Sequence, residues 1–86
     1  MSVGDVKATL RDGTLSLDQA KATIERVGDR LAEVRRIASA TLHDSQHPEA
    51  QKARKALADA VREVELALRT IGVARGHAIA FTNKLG

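Results

Sequence analysis

The sequence contains no cysteine, no tryptophan and no tyrosine, and Phe81 is its only aromatic residue. Without cysteine the chain has no disulfide, no thiolate ligand for zinc and no thiol nucleophile. Compact cores usually depend on aromatic side chains, which bury about 150–250 Å² each. A chain with so few aromatics and 29% charged residues therefore favours elongated helices over a compact globular core.

The sequence also lacks a long hydrophobic run, and its first residues are not expected to act as a signal peptide. No apolar stretch approaches the roughly 20 residues that a membrane-spanning helix requires. Residues 1–7 (MSVGDVK) do not show the basic-then-apolar order of a secretory signal. We therefore expect a soluble protein without a membrane partner. Its default location is the cytoplasm, and export that needs no signal peptide stays open.

Apolar residues recur at alternating steps of three and four along almost the whole chain. The first repeat comprises Val3, Val6, Leu10, Gly13, Leu17, Ala20, Ile24, Val27, Leu31, Val34, Ala38 and Thr41, of which all but Gly13 and Thr41 are apolar. The second comprises Ala50, Ala53, Leu57, Ala60, Val64, Ala67, Ile71, Ala74, Ala78, Phe81 and Leu85. Heptad patterns sustained beyond three or four repeats predict long helices that pack along a narrow seam, as in coiled coils.

The single proline, Pro48, separates the two repeats. Proline lacks an amide proton and suits the first turn of a helix, and Asp44, Ser45 and His47 are candidate caps before it. A short connection predicts antiparallel neighbours. The expected architecture is all-α: one helical-hairpin domain over residues 1–86, with arm 1 at about 2–43, a turn at 44–47 and arm 2 at about 48–85. The predicted seam pairs Val27 with Val64, and Leu17 with Ala74.

A second interruption is predicted inside the first arm. Asp12-Gly13-Thr14 is followed by a sequence of capping-box form that begins at Ser16. This pattern predicts a break near residues 12–15, and a short extra N-terminal helix from about Ser2 to Arg11. The heptad phase continues through Gly13, so we expect the break to be a kink or a loosened turn, with both pieces packed on the same seam.

Several apolar residues fall outside the seam. A small domain with one narrow seam and no staple often gains stability by oligomerising. We therefore predict pairing into a four-helix bundle, as a homodimer or with a helical hetero-partner. The predicted interface residues are Ile37, Leu42, Val61 and Leu68.

No constellation of residues indicates catalysis or metal binding. His43 and His47 are four residues apart, a spacing that can share a metal on one helix, but here the turn separates them. The carboxylates lie outside the seam rows, and a solvated carboxylate is a poor general acid at neutral pH. The sequence predicts a protein that is not an enzyme, with no cofactor, metal site or small-molecule substrate.

The alternative function is a small basic nucleic-acid-associated protein. The net charge is +3. Basic residues form two groups: Arg26, Arg30, Arg35 and Arg36 on the first arm, and Lys52, Arg54 and Lys55 near the turn. Acidic residues are interspersed among them, and the aromatics that stack on bases are missing. The helical interaction module is therefore the leading hypothesis.

In size, in its lack of cysteine and in its two long helices with a break near the middle, the chain resembles the WXG100 (ESX) family. The resemblance covers the whole chain as topology. The family's Trp-x-Gly would fall in the turn, where residues 43–47 read HDSQH, and the Tyr-based secretion signal is missing because there is no tyrosine. The resemblance implies a small helical partner protein of actinobacterial type, associated with type VII secretion.

Overall fold

The computed structural model describes all residues 1–86 and contains two antiparallel helices. Helix α1 spans Val3–Leu42 and helix α2 spans Pro48–Lys84. At 1.5 Å per residue, a helix of 40 residues is about 60 Å long. The hairpin measures 63 × 16 × 15 Å, so the two helices lie side by side along their whole length. The predicted all-α hairpin is confirmed.

Local capping chemistry defines the helix ends. The Ser2 hydroxyl accepts from the Asp5 amide, and the Asp5 carboxylate accepts from the Ser2 amide, which forms a complete capping box. At the start of α2, His47 is the cap: its Nδ1 accepts from the Glu49 amide at 3.1 Å. Pro48 occupies the first helical turn, where its missing amide proton costs nothing.

The predicted break at residues 12–15 is wrong, and no separate N-terminal helix is present. Helix α1 runs without interruption through Gly13, and the Thr14 hydroxyl donates to the Leu10 carbonyl at 2.9 Å. A glycine inside a helix costs only about 1 kcal/mol relative to alanine. Leu10 and Leu17, on either side of the glycine, are both half-buried. Packing along the full length of α2 offsets the local preference for a break.

The seam contains one of the two predicted apolar rows and only part of the other. The central row is half-buried, and it consists of Leu10, Leu17, Ile24, Leu31 and Ala38 on α1 and of Ala50, Leu57, Val64, Ile71, Ala78 and Leu85 on α2, of which Ala50 is fully buried. Much of the second row is exposed instead, including Val27 at 46% and Val34 at 48%. An α-helix has 3.6 residues per turn, so it drifts by about 20° per heptad from a strict 3.5-residue repeat.

The residues that replace the exposed ones lie one position further along the chain. Thr14, Gly28 and Leu42 are half-buried, and a Cβ on Gly28 would lie 3.1 Å from Val64 Cγ1. Val64 therefore faces Gly28, whereas Val27 is 46% exposed. The seam is rotated on both helices, and several residues that sequence periodicity assigned to it are exposed.

The hairpin buries very little of itself. Ala50 is the only buried residue, at 8% exposure. The chain exposes 6440 Å², whereas a compact protein of 9.2 kDa exposes about 4,900 Å². Its radius of gyration is 19.2 Å, against about 12 Å for a compact domain of this length. The excess surface is the main physical feature that a function has to explain.

Candidate interaction surface

One row of residues runs along one edge of the inter-helix contact on both helices, and Ala20, Ala60 and Ala67 in it are half-buried while its other members are exposed. We call it the outward row, and its members lie three positions after each central-row residue: Gly13, Ala20, Val27, Val34 and Thr41 on α1, and Ala53, Ala60, Ala67, Ala74 and Phe81 on α2. None is charged, and all but Thr41 are apolar or glycine. Phe81, the only aromatic residue, is 50% exposed. A large apolar side chain at half exposure on both arms marks this row as a surface that lacks a partner.

The two halves of the outward row lie on the same side of the hairpin. Seen along one direction, successive residues turn clockwise on α1 and anticlockwise on α2, because the helices are antiparallel. A row displaced by the same number of residues from the seam therefore reaches the same side on both helices. The result is one continuous uncharged strip along the 63 Å length of the molecule.

The opposite side is strongly basic. It is formed by residues one, four and five positions after each central-row residue, and we call it the basic face. Its basic residues are Arg11, Lys21, Arg35, Arg36, Arg54, Lys55, Arg62, Arg69 and Arg75. Its acidic residues are Asp18, Glu25, Asp29 and Glu65. The rest of the surface carries five basic and seven acidic residues, so the net positive charge of the chain is concentrated here.

Side-chain contacts between the helices are concentrated on this basic face. Arg75 Nε donates to Asp18 Oδ1 at 2.7 Å, in the only ion pair that joins the two helices. A shallow groove of about 510 Å³ lies beside it, lined by charged and polar residues together with Leu15 and Ile79. Arg54 reaches across the turn end and donates to the Leu42 carbonyl. Both partners of the ion pair are more than 40% exposed, so the pair is worth about 1 kcal/mol or less.

The predicted interface residues do not lie on one face. Ile37 is 50% exposed and lies beside the outward row. Leu42, Val61 and Leu68 are half-buried, four positions after central-row residues, on the side where the helices meet. Sequence periodicity assigned Val27, Val34 and Phe81 to the seam, and for that reason missed them as surface residues. The signal that identifies them is the drift of 3.6-residue helices away from a heptad.

The histidines and carboxylates do not form a site. His43 lies 3.1 Å from Asp44 through Nε2, while His47 caps α2 and His77 lies far along that helix. No three histidine or carboxylate side chains are placed to hold a metal ion. Neither helix contains a stretch apolar enough to cross a membrane.

Comparison of the chain with protein-family models, with curated proteins and with solved structures finds no match.

Proposed function

We propose that this protein is a non-enzymatic helical interaction module, which self-associates or pairs with another helical protein through its outward row. The observation that carries the proposal is a continuous uncharged strip, with Val27, Val34 and Phe81 about half exposed, on a chain that buries one residue. Each square ångström of apolar surface removed from water contributes roughly 25 cal/mol. A helical partner laid along this strip would supply the burial that the hairpin lacks.

The geometry of the strip favours a helical partner. It is long and narrow, and it is lined mainly by alanine, valine and glycine, which allow another helix to approach closely. The resemblance to WXG100 hairpins extends the proposal to a role linked to type VII secretion. That extension is supported by the size of the chain and by its hairpin topology.

Charged substitutions at two matched valines test the proposal. Val34→Glu on the outward row is expected to abolish association and to lower the melting temperature, because the interface would bury an unpaired carboxylate. Val73→Glu is the control, since Val73 is 56% exposed and lies on the outer edge of α2, away from the strip. Light scattering measures the association of both variants, and thermal melts measure their melting temperatures. Equal behaviour of the two would contradict a docking role for the outward row.

A second candidate, a nucleic-acid-associated protein, is favoured by the concentration of basic residues on one face. Phosphate contacts make log affinity fall linearly with log salt, with a slope of about 0.9 per phosphate contacted. A salt titration of binding to random-sequence duplex therefore tests it. Arg35→Gln, on the basic face, should reduce the slope, and Arg26→Gln, off that face, should leave it unchanged. Absence of binding at low salt removes this candidate.

A further inference from the structure

We infer that the partner of the outward row is a second copy of this chain, related by a two-fold axis parallel to the long axis, so that both turns lie at the same end. This inference rests on the proposed function and specifies its partner. Such an axis places α1 of each copy over α2 of the other. All neighbouring helices in the resulting four-helix bundle are then antiparallel.

The register of the single hairpin determines which residues meet. Within one chain Gly28 faces Val64, and Asp18 pairs with Arg75, so each of these pairs lies at one level along the axis. A two-fold axis along the hairpin preserves these levels in the second copy. Each outward-row residue of α1 therefore meets an outward-row residue of α2 from the other copy. Their levels along the helix axis differ by at most two residues, or about 3 Å.

The side chains brought together in this way are complementary in size. Val27 meets the second copy's Ala67, and Val34 meets its Ala60. The third large residue, Phe81, meets Gly13. No atom lies within 4 Å of a Cβ added at Gly13, so there is room for the aromatic ring. A large residue opposite a small one is how facing helices fill space at native density. Because the interface is two-fold symmetric, each of these contacts occurs twice.

The charges beside the outward row are also complementary in this arrangement. Arg30 and Glu63 each lie six positions after a central-row residue, on the outer side of the strip. They are at the same level but on opposite edges of one hairpin, and neither forms an ion pair within the chain. The two-fold axis brings Arg30 of each copy next to Glu63 of the other. The bundle thus gains two ion pairs that the monomer cannot form.

The outline of the face is large enough to hold a dimer interface. It measures 63 Å by about 16 Å, an outline of about 1,000 Å², and a standard protein interface buries about 800 Å² of accessible surface per partner.

A two-fold axis across the hairpin would instead place α1 over α1 and α2 over α2. Valines would then face the valine-bearing helix and alanines the alanine-bearing helix, and the Arg30–Glu63 pairs would be lost.

Charge reversal tests the pairing across the interface. Arg30→Glu and Glu63→Arg, each alone, place like charges together twice per dimer, and each should weaken association about tenfold or more at low salt. A mixture of the two variants restores both pairs, so the heterodimer should form with nearly wild-type affinity. Arg36→Glu and Glu65→Arg, both on the basic face, are the matched control. Mixing these two variants should give no gain in affinity over either variant alone. Absence of rescue in the first mixture overturns the inferred arrangement.

Disulfide trapping tests the orientation of the two copies in the dimer. Because the chain has no cysteine of its own, only the introduced thiols can crosslink. Two single-cysteine chains of different mass are mixed and oxidised. Val27→Cys with Ala67→Cys should give a mixed disulfide, whereas Val27→Cys with Val34→Cys should not. A dimer that crosslinks through the second pair, or through neither, overturns this arrangement and leaves the proposed function standing. A stable monomer at all concentrations overturns the inferred dimer and the self-association in the proposed function, and leaves only pairing with another helical protein.

Discussion

The Leu31→Asp variant should be largely unfolded. Leu31 lies in the central row and is half-buried at the inter-helix contact. Full burial of a leucine contributes about 1.5–3 kcal/mol, and a half-buried leucine contributes less. With the desolvation cost of the introduced carboxylate added, we expect a loss of about 2–3 kcal/mol. A single small core rarely supplies more than about 3–5 kcal/mol in total. The loss therefore approaches the whole stability of the hairpin.

A second seam variant and a surface control make this result specific. Val64→Asp should have the same effect, because Val64 packs against Gly28 across the seam. Arg36→Asp, on the exposed surface, should leave the helical signal and the melting temperature close to those of the parent. Circular dichroism and thermal melts measure all three variants. Seam variants as helical and as heat-stable as the parent would show that the central row is not the core.

The helix ends could be predicted from the sequence because their chemistry is local. A proline in a first helical turn, and a serine three residues before an aspartate, each satisfy backbone groups within their own segment. The structure accordingly begins α2 at Pro48 and closes the capping box between Ser2 and Asp5. The hairpin topology follows from the short connection between two long apolar repeats.

The break at Gly13 could not be judged from local signals. The residues around it resemble a helix end followed by a new cap, and taken alone they favour an interruption. Whether the helix continues through these residues is decided by contacts with α2, more than 50 residues away in the chain. Leu10 and Leu17 both pack at the seam, and a continuous helix is what allows both to do so.

Sequence periodicity also could not predict which residues lie on each face of the hairpin. A heptad pattern shows that two rows are apolar, but it does not show how far each helix rotates about its axis when the two pack. Here the rotation leaves Val27 and Val34 outside and brings Gly28 inside. The same rotation divides the charges, so arginines and lysines that alternate with acidic residues along the chain gather on one side in space. The candidate surface could be identified only after this rotation was known.

The apparent stability of the protein should fall on dilution. If folding is coupled to pairing of two copies, a hundredfold dilution lowers the free energy of unfolding of the dimer by about 2.7 kcal/mol. For two chains of 86 residues this corresponds to a fall in melting temperature of about 5–10 °C. The effect is large because the isolated hairpin buries a single residue and has no covalent staple.

Light scattering and thermal melts over a hundredfold dilution series therefore test the central claim most directly. We expect a mass of two chains at high concentration, a decrease toward one chain on dilution, and a melting temperature that falls in step. The Val73→Glu variant should follow the same curve, and Val34→Glu should lie at the monomer limit throughout. A well-folded protein of one-chain mass, with a melting temperature independent of concentration, would contradict the account.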